Sequence, residues 1–196
     1  MYRNVLLIAA DMLSRFMDYT DRGTCILFGD GAGAVVLSAS EAPGGTLGVE
    51  LTTEPQGAYM IWLPAGGSRS PSSRETVDRH EHFIRMEGRE TYRFATRTLA
   101  STARAAVAKA GLTAADIDLV VPHQANLRII ETVAKELDLP MERIFVNIER
   151  YGNTSAASIP IALDEARRAG RIRRGDLVLL VAFGAGLTYG SALLRW

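Results

Sequence analysis

The chain has 196 residues, of which 47% are hydrophobic and 22% are charged, and its formal net charge is zero. This size and composition are typical of a globular protein with one substantial core or one and a half small ones. Balanced charge gives no indication of binding to nucleic acid or to an anionic membrane. No apolar run reaches the roughly 18–20 residues that span a bilayer. A single cysteine excludes an internal disulfide, so we expect a reducing, cytoplasmic location.

The first forty residues contain short apolar runs separated by polar turns. Residues 5–10 are continuously aliphatic, which favours a buried parallel strand over a signal peptide. Residues 25–28 and 34–38 lie on either side of a glycine-rich cluster at 29–33, which predicts a hairpin. A cluster of structure-breaking residues follows at 41–45. We therefore divide the chain into residues 1–41 and residues 45–196.

Beyond this boundary, helical and strand-like patterns alternate, apart from a polar, Pro/Gly/Ser-rich surface excursion. In chain order we predict a strand at 47–52, the excursion at 55–82, a helix at 87–110 ended by Gly111, a strand at 118–121, a helix at 126–137 with Leu127, Ile130, Ala134 and Leu137 facing inward, a strand at 144–148, a helix at 155–169, and strands at 177–183 and 187–195. Pro160 either kinks the last helix or marks a late start. This order predicts a layered α/β architecture.

Two polar side chains follow predicted strands, at the point where each strand ends. His123 comes after residues 118–121, and Asn153 comes after residues 144–148. The carboxyl ends of strands are where reacting groups gather in open α/β sheets. A third strand leads to the turn at 184–186, whose glycines let backbone N–H groups approach a ligand. Taken alone, a histidine after a strand favours a hydrogen-bonded core histidine over a catalytic one.

The chain offers no convincing nucleophile. Cys25 lies inside an apolar run without a helix N-terminus after it, so we expect a buried, unactivated thiol. His80 and His82 lack the further ligands that a metal site needs.

Four segments together resemble the β-ketoacyl-[acyl-carrier-protein] synthase III family. The resemblance implies the thiolase fold, an α/β arrangement of two similar halves in alternating layers. It implies that residues 1–41 correspond to the end of the first half and residues 45–196 to the second half. The family's nucleophilic cysteine lies in the first half, upstream of this chain. The resemblance is carried by residues 21–33, 121–126, 151–160 and 183–192.

The same resemblance implies roles for several residues. His123 and Asn153 bind the malonyl thioester oxygen as neutral donors. Phe183 lends an apolar environment, and the backbone N–H of Ala185 belongs to a second oxyanion hole. The acyl carrier protein or its pantetheine arm contacts a segment whose simpler interpretation is a helix N-cap at Asn126 and a solvated charge at Arg128. That segment consists of Gln124, Ala125, Asn126, Leu127 and Arg128.

The activity implied is decarboxylative condensation of an acyl-CoA primer with malonyl-[acyl-carrier protein], which initiates type II fatty-acid synthesis. The resemblance implies no metal and no organic cofactor. It implies that the partners are the acyl carrier protein, acyl-CoA and a second copy of the full-length protein, with no nucleic acid or membrane. Two alternatives stay open: a non-catalytic or decarboxylase-only partner of a separate cysteine-bearing chain, and a related condensing enzyme of secondary metabolism. Whether Met1 is a genuine start is also open.

Overall fold

The computed structural model describes residues 2–41 and 43–196. Met1 and part of the predicted boundary at 41–45 therefore lie outside the described residues, and the division into two units stays a prediction. The strands are β1 (Asn4–Met12), β2 (Asp30–Ser38), β3 (Gly45–Thr53), β4 (Ile61–Trp62), β5 (Arg85–Met86), β6 (Leu119–Pro122), β7 (Leu177–Gly184) and β8 (Thr188–Arg195). The helices are α1 (Arg74–Asp78), α2 (Gly88–Lys109), α3 (Leu127–Glu136), α4 (Ile148–Tyr151) and α5 (Ser158–Arg168).

The main sheet has four strands in the order β3-β8-β7-β6. Strands β6 and β7 run parallel, and the other neighbours are antiparallel. Side chains alternate between the two faces of a strand, so Val120 packs with α2 and α3 while Leu119 and Val121 pack with α5. Helices thus cover both faces of the sheet, which confirms the predicted layered α/β architecture.

Helix α2 is able to lie close to the sheet because its inner face is small. Ala95, Ala103 and Ala106 are completely buried. A Cβ atom added to Gly48 of β3 would lie 2.1 Å from the carbonyl oxygen of Ala106, so this close approach requires glycine. The helix ends as predicted, with Gly111 in the left-handed region at φ +71°.

The N-terminal strands form a separate two-stranded ribbon, and two predictions about it were wrong. β1 pairs antiparallel with β2, from Asn4 opposite Ser38 to Met12 opposite Asp30, and most of its side chains are exposed instead of buried. The glycine-rich cluster is not a hairpin turn, because β2 begins at Asp30 and runs through it. A Cβ atom on Gly33 would lie 2.8 Å from Pro160, so this glycine serves close packing against α5.

Three further local predictions needed correction. The strand at 144–148 is reduced to a single bridge between Val120 and Ile144, because the chain turns into α4 at Ile148. Helix α5 starts at Ser158 and not at residue 155, which is the late start that Pro160 offered as one alternative; Pro160 lies in the first turn, where the missing N–H costs no hydrogen bond. Leu127 does not face inward and is 44% exposed, whereas Ile130 of α3 is buried as predicted.

No helix in the described part of the chain is long and apolar enough to cross a membrane. Within residues 2–41 and 43–196, no group of three or more His, Cys, Asp or Glu side chains is arranged to hold a metal ion.

Candidate active site

A cavity of about 890 Å³ lies at the carboxyl ends of β6 and β7. His123, Asn153, Phe183 and Ala185 all line it, so the structure brings together the four residues that the sequence singled out. The N-terminal segment contributes Phe28 to the wall. A volume of several hundred Å³ is typical of small-molecule sites.

His123 follows β6 directly and is held from three sides. Its backbone N–H donates to the Val181 carbonyl at 2.8 Å, which continues the pairing of β6 with β7. Its ring nitrogen Nδ1 lies 2.6 Å from Ser158 Oγ. The Phe183 ring packs edge-to-face against the imidazole, with centroids 5.9 Å apart. Burial lowers the pKa of His123 from 6.5 to about 4, so the imidazole is neutral at pH 7.

Asn153 presents an amide donor because its oxygen is already engaged. Its Oδ1 accepts a hydrogen bond from the Ser155 backbone N–H at 2.9 Å. A backbone N–H can only donate, so this contact assigns the oxygen of the Asn153 amide to the Ser155 side. It leaves the Nδ2–H group available as a hydrogen-bond donor. The Asn153 backbone is held in turn by residues 27–29, through an N–H bond to Leu27 O at 3.0 Å and a bond accepted from Gly29 N at 2.8 Å.

The cavity wall is electrically neutral. Among the described residues that line it, none is Asp, Glu, Lys, Arg or Cys, and the one titratable imidazole, His123, is neutral at pH 7. Cys25 does not line the cavity; it is half-buried in a turn, which corrects the expectation of a fully buried strand cysteine. The described part of the site therefore provides hydrogen-bond donors and apolar surface, and it provides no thiol nucleophile.

The turn between β7 and β8 forms another part of the wall. Phe183 is buried beside His123, while Ala185 is exposed at the tip of the turn. The Thr188 hydroxyl donates to the Ala185 carbonyl at 3.1 Å, which ties this turn together.

The segment predicted to contact a carrier protein splits into three environments. Gln124 is 1% exposed, and its amide bonds to the carbonyls of Pro122 and Phe145 and to the backbone N–H of Asn147, so its side chain supports the fold and does not face the cavity. Ala125 and Asn126 line the cavity. Asn126 also caps α3, because its Oδ1 accepts from Arg128 N at 2.9 Å. Leu127 and Arg128 are exposed to solvent.

Two contributors to this site are not apparent from the sequence. Ser158, at the start of α5, contacts His123 from 35 residues away in the chain. The segment around Phe28 holds Asn153 from a part of the sequence more than a hundred residues distant. No local pattern reports either contact, because each arises when separate elements pack together.

Comparisons with known proteins show which family the chain resembles. Two family models match: "3-Oxoacyl-[acyl-carrier-protein (ACP)] synthase III" over residues 1–55, and the C-terminal model of the same description over residues 107–196. The β-ketoacyl-[acyl-carrier-protein] synthase III of Syntrophomonas wolfei is 50% identical over 195 residues, covering 100% of this chain and 59% of the relative.

Solved structures agree. The 3-oxoacyl-[acyl-carrier-protein] synthase III of Aquifex aeolicus superposes with a TM-score of 0.88 at 44% identity, over 99% of this chain and 58% of that one. The corresponding synthase of Thermus thermophilus gives a TM-score of 0.89 at 45% identity, over 99% and 59%. The layered α/β fold is thus that of the thiolase-like condensing enzymes. The chain belongs to the β-ketoacyl-[acyl-carrier-protein] synthase III family, and it spans about 59% of the length of the curated relatives it matches.

Proposed function

We propose that this chain is part of an enzyme that condenses an acyl-CoA primer with malonyl-[acyl-carrier protein] and so initiates type II fatty-acid synthesis in the cytoplasm. The observation that carries the proposal is the pair of neutral side chains on one uncharged cavity wall, His123 and Asn153. The names of the relatives support the same chemistry.

The decarboxylation step needs stabilisation of an oxyanion. The bond between the malonyl carboxylate and the α-carbon breaks, CO₂ leaves, and the electron pair moves onto the thioester oxygen as an enolate. Donors from His123 and Asn153 stabilise that oxygen, and preorganised donors in a water-poor site are worth more than in water. The acyl group has by then moved from CoA to a cysteine thiolate, with release of CoA. The α-carbon attacks the carbonyl of this acyl-enzyme, the new C–C bond forms, and the cysteine thiolate is expelled.

The neutral wall favours this direction of charge movement. The described lining residues include no arginine or lysine to hold the malonyl carboxylate, and the Phe183 ring adds apolar surface beside His123. Negative charge is therefore better accommodated on the thioester oxygen, opposite the two donors, than on the carboxylate. We propose that the chemistry requires no metal and no organic cofactor, because the malonyl group supplies the electron pair and the groups that leave are CO₂ and thiolates.

The acyl group must be carried by a nucleophile from outside the described wall. We propose that a cysteine elsewhere in the whole protein, or on a separate chain, forms the acyl-enzyme. We further propose that the whole enzyme is a homodimer and that exposed Arg128 meets the acidic carrier protein, since a guanidinium pairs well with carboxylates.

The test measures CO₂ release from isotopically labelled malonyl-[acyl-carrier protein] by the assembled enzyme that contains this chain. His123→Ala and Asn153→Ala should each lower the rate by roughly 10²–10³-fold. Ser101→Ala, an exposed position on α2, serves as the control. Unchanged rates in both site variants would refute the proposed oxyanion site.

A second measurement tests the nucleophile assignment. After incubation with isotopically heavy acetyl-CoA, the 196-residue chain alone should show no stoichiometric acetyl adduct by mass spectrometry. An adduct mapped to Cys25 would show that the nucleophile lies in this chain after all.

A further inference from the structure

Ser158 is a buried hydroxyl that touches the imidazole of His123. It is the first residue of α5 and is 3% exposed. Its Oγ atom lies 2.6 Å from His123 Nδ1 and 3.3 Å from the backbone nitrogen of Gln124. One oxygen thus makes two hydrogen bonds to consecutive residues of the segment that follows β6.

The direction of these two bonds follows from what each partner is able to do. The Gln124 backbone N–H has only a proton to offer, so Ser158 Oγ accepts there. The serine's own proton then needs an acceptor, and among residues 2–41 and 43–196 the only further partner of Oγ is His123 Nδ1. The hydroxyl therefore donates to Nδ1. A neutral imidazole that accepts at Nδ1 carries its proton on Nε2.

We propose that Ser158 is a positioning residue that fixes His123 as the Nε2–H tautomer, so that the ring presents a proton and not a lone pair to the cavity. The role rests on the proposed function, in which His123 donates to an oxyanion. In the opposite tautomer, Nε2 would carry a lone pair, and two electron-rich atoms would face each other. Ser158 therefore determines whether His123 is able to donate a hydrogen bond to the oxyanion.

No other described neighbour of the imidazole is able to select its tautomer. The ring's other contact among the described residues is with the Phe183 ring, which carries no N–H or O–H group and no lone pair. Among the described residues that line the cavity, there is no carboxylate that could accept a hydrogen bond from an Nδ1–H group. A nucleophilic role for Ser158 is disfavoured by its burial and by the two hydrogen bonds that its oxygen already makes.

Nitrogen-15 NMR of histidine-labelled protein tests the tautomer directly. The chain has three histidines, and His123→Ala assigns the relevant ring. We expect a protonated Nε2 and an unprotonated Nδ1 in the wild type. Ser158→Ala should give a mixture of tautomers, Ser158→Thr should restore the wild-type pattern through its hydroxyl, and Ser101→Ala should leave it unchanged. An Nδ1–H ring in the wild type, or an unchanged ring in Ser158→Ala, would overturn the proposal.

Should Ser158→Thr fail to fold because of its extra methyl group, Ser158→Cys takes its place. A thiol is a weak donor, so we expect Ser158→Cys to give a tautomer ratio between those of the wild type and Ser158→Ala. If folded Ser158→Cys gives the same ratio as Ser158→Ala, that result would count against the proposal.

Turnover of the assembled enzyme separates this proposal from the proposed function. Ser158→Ala should lower kcat for CO₂ release by on the order of 10-fold, less than loss of the donor itself, with KM nearly unchanged. A shifted tautomer with an unchanged rate would support the role of Ser158 and refute the proposed use of His123. A lowered rate with an unshifted tautomer would overturn the role of Ser158. Labelling of Ser158 by an acyl donor would also overturn it.

Discussion

Phe28 and Asn153 form an isolated parallel bridge, although 125 positions separate them in the sequence. The bridge is closed by hydrogen bonds on both sides, from Asn153 N to Leu27 O and from Gly29 N to Asn153 O. Residues 27–29 therefore fix the backbone of a residue that lines the cavity. Disturbing this segment should affect the site without touching any residue that contacts substrate.

Gly29→Ala is the sharpest way to disturb this bridge. A Cβ atom at Gly29 would lie 2.2 Å from the Tyr151 carbonyl oxygen, so the backbone on one side must move. We expect the free energy of unfolding to fall by roughly 1–3 kcal/mol, as in other overpacked sites, and CO₂ release to fall with it. Denaturant unfolding and the decarboxylation assay measure both. Gly67→Ala is the matched control because its added Cβ meets no atom within 4 Å. Equal behaviour of the two variants would contradict the bridge's importance.

Stability should fall as the pH drops from about 6.5 to about 4, because of His123. Burial lowers its folded-state pKa to about 4. Between the two pKa values the unfolded chain binds a proton that the folded protein does not, so acidification favours unfolding. The loss should approach about 3 kcal/mol across this window.

Denaturant unfolding at a series of pH values measures this loss, with His123→Gln as the comparison. The variant should show a flatter dependence between about pH 6.5 and 4. Hydrogen bonds from Thr20 hold the pKa of Asp18 at about 2, so the stability linked to Asp18 is lost only at lower pH, below its ordinary pKa of 3.8. An identical slope for the wild type and His123→Gln would show that the histidine is solvated and titrates normally.

Arg128→Glu should weaken the use of the carrier protein specifically. The side chain is exposed just inside α3, next to a cap residue that lines the cavity. In the assembled enzyme we expect KM for malonyl-[acyl-carrier protein] to rise by roughly 10-fold, which corresponds to about 1.4 kcal/mol, and the effect should shrink at high salt. KM for a small malonyl thioester should stay the same. Arg167→Glu makes the same charge change at an exposed site on α5. Equal effects of both variants would indicate a general charge effect.

The β1–β2 ribbon should make the isolated 196-residue chain prone to association. Leu6, Ile8 and Val36 are 61%, 66% and 63% exposed, and Leu6 pairs with Val36 across the ribbon. A contiguous apolar surface of this kind favours aggregation, and a two-stranded ribbon is marginally stable without cover.

Replacing these three residues by threonine places a strand-favouring, β-branched side chain at each position while removing apolar surface. Light scattering of the isolated triple variant should show less association than the wild-type chain. Val77→Thr, at a single exposed position on α1, should change nothing. Unaltered association of the triple variant would mean that another surface is responsible.

The sequence by itself determined the layered α/β class, helix α2 with its Gly111 terminus, and strands β7 and β8. Each has a strong local pattern: an alanine-rich helical face, or an aliphatic run beside glycine. The motifs also led to His123 and Asn153, which both line the cavity, whereas their catalytic roles stay predictions.

Only the tertiary structure decided which elements meet. The aliphatic run at β1 predicts burial, but burial depends on neighbours, and among the described strands β1 pairs only with β2. From the sequence, Gly33 is compatible with a turn or with close packing. The structure shows close packing, because Gly33 lies against Pro160 of α5. Ser158 reached His123 through the approach of α5 to β6. Sequence patterns report local conformation, whereas contacts between distant segments depend on how the whole chain packs, so the partner that orients His123 became visible only in the folded molecule.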